Sequence, residues 1–218
     1  MNKTSISLLA LALGSAMSAS ATPIFSDDFD RGVSTSVGNG WTEVEGTGAS
    51  AAADVSLVNR TASGLVIGQQ MQLRDNDPQA IASQLSGIST AGYTNIALAY
   101  DWAPTNNTES GDFLWVEWRN GSGGLWTGIA HHALLGPAAH TGESMAIAGA
   151  GGLADFELRF RVAVDANNEG AYVDNVSLSG VSTAPGIAND VPEPGSFALA
   201  GLGLGLAAFL GRRKALVR

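Results

Sequence analysis

Alternation of apolar and polar residues is the strongest pattern in the middle of the chain. In residues 156–164, Phe156, Leu158, Phe160, Val162 and Val164 fall on one side of an extended backbone, and Glu157, Arg159 and Arg161 fall on the other. Successive side chains of a strand point to opposite faces, so this segment reads as a strand with one face in a core. Ile96, Leu98, Tyr100 and Trp102 repeat the pattern, as do Leu114, Val116 and Trp118. Between them lie Asn120-Gly-Ser-Gly-Gly124 and Asp165-Ala-Asn-Asn-Glu-Gly170, pieces of the kind that close hairpins and corners. Helical periodicity is missing from this region. Many short strands with glycine-rich turns predict an all-β sandwich or barrel.

The two ends follow other patterns. Lys3 precedes an apolar stretch from Ile6 to Ala16, and Ala19-Ser20-Ala21 has the small-residue spacing of a signal-peptidase site, which predicts a signal peptide over 1–21. At the other end Val191, Pro192, Glu193 and Pro194 lead into an apolar run from Phe197 to Leu210 that stops at Arg212, Arg213 and Lys214. The two prolines fix φ and remove two amide donors, so this motif is an extended handle that cannot join the helix behind it. The run spans roughly 21 Å as a helix, against a hydrocarbon core of roughly 30 Å. Gly195, Ser196 and Gly211 extend it, and the basic end favours the cytoplasmic side.

Four parts result: signal peptide 1–21, folded domain 22–181, a small-residue linker 182–190, and a terminal signal 191–218. The last part resembles the PEP-CTERM sorting signal, which an exosortase reads in the inner membrane of Gram-negative bacteria. That resemblance implies a precursor held transiently in the inner membrane by a single hydrophobic sorting helix. It also implies processing at the motif, and a mature form at the cell surface or secreted, as in a biofilm matrix.

Composition narrows the partners. There is no cysteine, so the exported domain relies on its core rather than on disulfides. All but one of the 20 acidic residues lie between 22 and 191, where the basic residues are Arg31, Arg60, Arg74, Arg119, Arg159 and Arg161. A chain so acidic excludes a nucleic-acid surface. It is compatible with neutral glycans, divalent cations or a basic partner.

Three segments, Phe25-Ser-Asp-Asp-Phe-Asp30, Gly111-Asp-Phe-Leu-Trp-Val-Glu-Trp118 with Gly123-Gly-Leu-Trp126, and Ala171-Tyr-Val-Asp-Asn-Val-Ser-Leu178, resemble successive strands of MAM-like and carbohydrate-binding modules. The resemblance implies a jelly-roll β-sandwich serving adhesion or sugar binding. It also implies a structural calcium ion joining the first and last strands, with Asp30 and Asp174 at the matching positions. Aspartate stands at 30 where those modules often carry glutamate. Calcium takes six to eight hard oxygen ligands, which an acidic sandwich can supply.

Sugar rings stack their C–H faces on exposed aromatics. Trp115 falls on the opposite side of its strand from Leu114, Val116 and Trp118, and Trp126 follows the glycine turn, so these two are the expected glycan contacts. Trp41, Trp102 and Trp118 are expected inside. Catalytic constellations are weaker. Gly142-Glu-Ser-Met-Ala146 lacks the closing glycine of a nucleophile elbow; His131, His132 and His140 read as solvated loop residues; Asp112 and Glu117 face opposite ways. The expectation is therefore an exported, exosortase-sorted surface or matrix protein whose non-catalytic domain binds extracellular polysaccharide or mediates adhesion. Alternatives are a polysaccharide hydrolase or lyase on the same scaffold, and a self-associating coat subunit.

Overall fold

The computed structural model describes residues 20–44, 54–60, 68–74 and 81–184. Residues 1–19 of the expected signal peptide, most of the linker, the motif Val191 to Pro194, the run Phe197 to Leu210, and Arg212, Arg213 and Lys214 lie outside the described residues.

Two antiparallel sheets stack face to face, and the described residues contain no helix. The first sheet runs β3 (Val55–Arg60), β4 (Gly68–Arg74), β11 (Gly170–Ser182), β6 (Tyr93–Pro104) and β9 (His140–Ala146), with β1 (Ala21–Asp27) also on β11. The second runs β2 (Trp41–Val44), β5 (Ala82–Ile88), β10 (Phe156–Ala163), β7 (Phe113–Asn120) and β8 (Thr127–Ala133). This is the all-β sandwich that the alternation predicts and the jelly roll that the resemblance implies.

Strand β11 organises the first sheet. Along one side it pairs with β6 for most of its length. Along the other it pairs first with β4, through Gly170 to Val173, and then with β1, through Val176 to Val181. The register against β6 shifts between Asp174 and Ser177, and Asn175 takes the left-handed conformation (φ 50°). Such a bulge re-aims side chains locally. It falls at the point where β4 hands β11 over to β1.

The core follows the predicted parity. Ile96, Leu98, Tyr100, Leu114, Val116, Phe156, Leu158, Phe160 and Val162 are buried between the sheets, and the Tyr100 and Phe160 rings meet edge to face at 5.3 Å. Trp41 and Trp102 are buried as expected. Trp118 is half-buried and stacks on Phe156 with ring centroids 5.7 Å apart. Phe29 has φ 57°, and this conformation turns its ring into the core beside Trp41 while Asp28 and Asp30 stay outside.

The histidines differ from expectation. His131 and His132 sit on β8 and His140 on β9. His140 stacks flat on Trp102 (4.1 Å, 3° between planes), and the His132 ring lies 4.5 Å from the same indole while its Nε2 stands 2.6 Å from the Tyr100 hydroxyl. Pro137 lies in the connection 134–139 between two edge strands, and the histidines before and after that connection are strand residues and not loop.

Candidate functional site

The outer face of the second sheet carries an ordered array of charge and aromatic side chains. Antiparallel register places Arg119 of β7 opposite Glu157 of β10, Glu117 opposite Arg159, and Trp115 opposite Arg161. All six point away from the core because their neighbours Leu114, Val116, Leu158 and Phe160 point into it. Arg119 Nε donates to Glu157 Oε2 at 2.7 Å, and Gln84 Nε2 of β5 donates to the same oxygen at 2.9 Å. Arg159 Nε donates to Glu117 Oε2 at 2.9 Å, and Arg161 Nε reaches that same atom at 3.2 Å. Burial pulls the Arg159 guanidinium below its ordinary pKa; Glu117 opposes this shift and the charges of Arg161 and Arg119 add to it. The glutamates are covered to 8 % and 2 % exposure, which charged groups tolerate when fully paired.

Both predicted glycan contacts rest on this array. Trp126 lies against two guanidiniums, its ring centroid 4.3 Å from Arg119 Cζ and 4.0 Å from Arg159 Cζ. Trp115 is flanked by His131 from β8, stacked at 3.8 Å, and by Arg161 from β10 at 5.1 Å. Both indoles are half-buried, and Glu117 links their supports because Arg159 and Arg161 share it. Gly124 makes the approach of Trp126 possible. A Cβ there would stand 2.6 Å from the Asn120 carbonyl oxygen, so only glycine lets the turn close tightly enough to return the chain over β7.

Asp30 and Asp174 lie by the opposite sheet, where β4 hands over to β1, near enough for the charge of Asp30 to act on Asp174. Asp174 is 3 % exposed and accepts from the Asn175 amide at 2.8 Å. Burial pushes its pKa up to about 7; the amide bond opposes this, and the charges of Asp101, Asp30 and Asp28 add to it. Asp101 faces it across β6 and accepts from Gly142 N at 2.6 Å and Asn175 Nδ2 at 2.8 Å. Asp30 Oδ1 accepts from the Gln69 amide at 2.8 Å, and a Cβ on Gly68 would fall 2.5 Å from that oxygen. Beside this group runs a groove of about 750 Å³ lined by Ser26, Asp28, Arg31, Asn39, Asn175 and Ser177. Sequence reasoning missed Asp28 and Asp101, because Asp101 joins the group only through the register of β6 on β11.

A second acidic group lies in the loops. Carboxylate oxygens of Glu109, Asp165 and Glu169 all come within 4.8 Å of one another, a trio that could hold a metal ion. Burial pushes Glu169 up, the Ala166 amide pulls the other way, and Asp112, Glu109 and Asp165 add to the rise. Asp30 and Asp174 do not belong to this trio.

Residues 190–214 match the PEP-CTERM protein-sorting motif. The motif marks an exported protein sorted to the cell surface and implies exosortase processing. No curated protein matches the chain in sequence. Among solved structures, a family 29 carbohydrate-binding module is similar at 13 % identity, covering 76 % of this chain and 96 % of that one, with a TM-score of 0.46. A cleaved adhesin domain of Lys-gingipain from Porphyromonas gingivalis is similar at 12 % identity, 73 % and 97 % coverage and a TM-score of 0.48. A family 61 module solved with β-1,4-galactotriose is similar at 9 % identity, 64 % and 88 % coverage and a TM-score of 0.46.

Proposed function

We propose that the exported domain binds extracellular polysaccharide, without catalysis, through the outer face of its second sheet, in the service of adhesion or matrix association. One observation carries this reading: two half-exposed indoles, Trp115 and Trp126, are held against arginines that are themselves fixed by buried glutamates. An aromatic surface preorganised in this way contacts sugar rings without ordering long side chains at the moment of binding. The acids on this face favour binding over turnover. Glu117 holds Arg159 and Arg161, and Glu157 holds Arg119 and Gln84, which leaves neither carboxyl free to move a proton.

The test is a glycan array with the full chain, run beside reducing-end release assays. Binding without released ends, lost in Trp126→Ala, is the expected result. Turnover that disappears in Asp174→Asn would instead establish the hydrolase reading, since a carboxyl with its pKa pushed up to about 7 beside a polar groove suits acid–base chemistry.

The same reading includes a structural calcium at Asp30 and Asp174. Its support is the donor set: carboxylates from the segment after β1, from β6 and from β11 repel one another at neutral pH, and a divalent ion of hard-oxygen preference relieves that repulsion. Residues 1–21 are proposed to leave through signal peptidase, and cleavage near Pro192 to Pro194 is proposed to release the domain from its transient inner-membrane anchor.

A further inference from the structure

Three of the six arginines between residues 22 and 191 stand on one sheet face, in a segment that holds 19 acids. Among the described residues two carboxylates, Glu117 and Glu157, answer them there. Arg119 is matched to Glu157 and Arg159 to Glu117. Arg161 reaches the Glu117 oxygen that Arg159 already holds, at 3.2 Å, and its terminal nitrogen stands 3.5 Å from the other oxygen. A guanidinium carries five donors in a flat fork suited to bidentate contact with a carboxylate; Glu117 engages the Nε and Nη2 side of Arg161 at long distances, and among the described residues the Nη1 side is left over. Its side chain keeps 20 % exposure and lies 5.1 Å from the centroid of Trp115. An aromatic ring and an under-used guanidinium thus stand side by side, on a positive spot in an otherwise repelling acidic surface.

We propose that this face selects a carboxylate-bearing polysaccharide, a polymer of uronic acids, with the indoles contacting the pyranose ring and Arg161 holding the sugar carboxylate. The inference rests on the glycan-binding reading of the same face. Negative charge elsewhere on the domain strengthens the selection, because an anionic chain is attracted here and repelled around it. A sulfate ester also offers two oxygens to such a fork, so a sulfated polymer is the control that separates carboxylate selection from general attraction of anions.

The experiment compares binding of the detergent-solubilised full chain to polygalacturonate, to its methyl ester, and to dextran sulfate, by calorimetry at moderate salt. Esterification keeps the sugar backbone and turns each carboxylate into a neutral methyl ester. Polygalacturonate is expected to bind at least about tenfold tighter than the ester, as one charge-assisted bidentate contact contributes on that order. Arg161→Gln should bring that ratio to within about twofold of unity, and Trp126→Ala should weaken both polymers. If Arg161→Gln melts well below the wild type, Arg161→Lys keeps the charge without the fork and should still lose most of the preference. Equal binding of acid and ester overturns the carboxylate selection while the glycan-binding reading stands. Dextran sulfate bound as tightly as polygalacturonate overturns it too, by reducing the effect to general polyanion attraction. Binding to no glycan of any charge removes the underlying reading itself.

Discussion

Two aspartates at neighbouring points of the fold have opposite responses to acid. Burial alone would raise Asp27, but bonds from Arg31, the Phe29 amide, Asn39 and Trp41 outweigh it and hold its carboxyl below the ordinary 3.8. Its contribution to stability is therefore present above that value and lost as pH falls through the lower, folded one. Asp27→Ala leaves the Trp41 Nε1 donor and the Phe29 amide unpaired, and is expected to cost about 3 kcal/mol, or roughly 6–12 °C in melting temperature by circular dichroism. Asp174 behaves in reverse. Its folded pKa of about 7 lies above 3.8, so the folded state binds the extra proton between those values, and stability declines as pH rises through that window. Calcium should remove the decline. At pH 7.5 a hundredfold excess over Kd is expected to add about 2.7 kcal/mol, or roughly 5–10 °C, and at pH 4.5 little. Asp174→Asn should raise the melting temperature in chelator and blunt the calcium response. Identical melting curves in calcium and chelator at pH 7.5 would reject the ion.

At the level of strands, the division between what the sequence discloses and what it hides follows the register. Burial of Phe156, Leu158, Phe160 and Val162, and the outward direction of Trp115, follow from period-two alternation within one strand. The glutamate–arginine array does not, because Glu117 meets Arg159 and Arg161 only after β7 and β10 are paired in one particular offset. Read singly, those charges look like an ordinary solvent face. The same holds for Asp101 against Asp174, and for the histidines, whose strand edges become visible only once Trp102 stacks on His140. The turn before β8 offers an element-scale test. Gly124→Ala forces a Cβ against the Asn120 carbonyl, and since φ there is not in the left-handed region the strain comes from contact alone. It should displace Trp126 from Arg119 and Arg159, and weaken glycan binding by about the same factor as Trp126→Ala. Quenching of tryptophan fluorescence by acrylamide should rise in the variant; unchanged quenching and binding would show that the turn does not set the indole.

For the whole molecule, export and surface sorting follow from residues 190–214, and processing can be weighed directly. In a host with an exosortase, surface-released protein is expected to lack the Phe197 to Leu210 run by intact mass. Pro192→Ala with Pro194→Ala should leave precursor in the membrane fraction. Secreted, lipid-free protein that retains the run would reject cleavage at the motif.

The placement of β11 also has a mechanical meaning. Any pull arriving through the chain after Ser182 enters the domain along a strand that is hydrogen-bonded on both flanks, to β6 on one side and to β1 and β4 on the other. A tug along the axis of such a strand loads its ladder bonds together in shear, whereas a tug on an edge strand peels them one at a time. Resistance to sudden tension is a rate property governed by the unfolding barrier. A domain gripped by the middle of its sheet can stay folded under flow that would unzip the same sandwich held by β9 or β3.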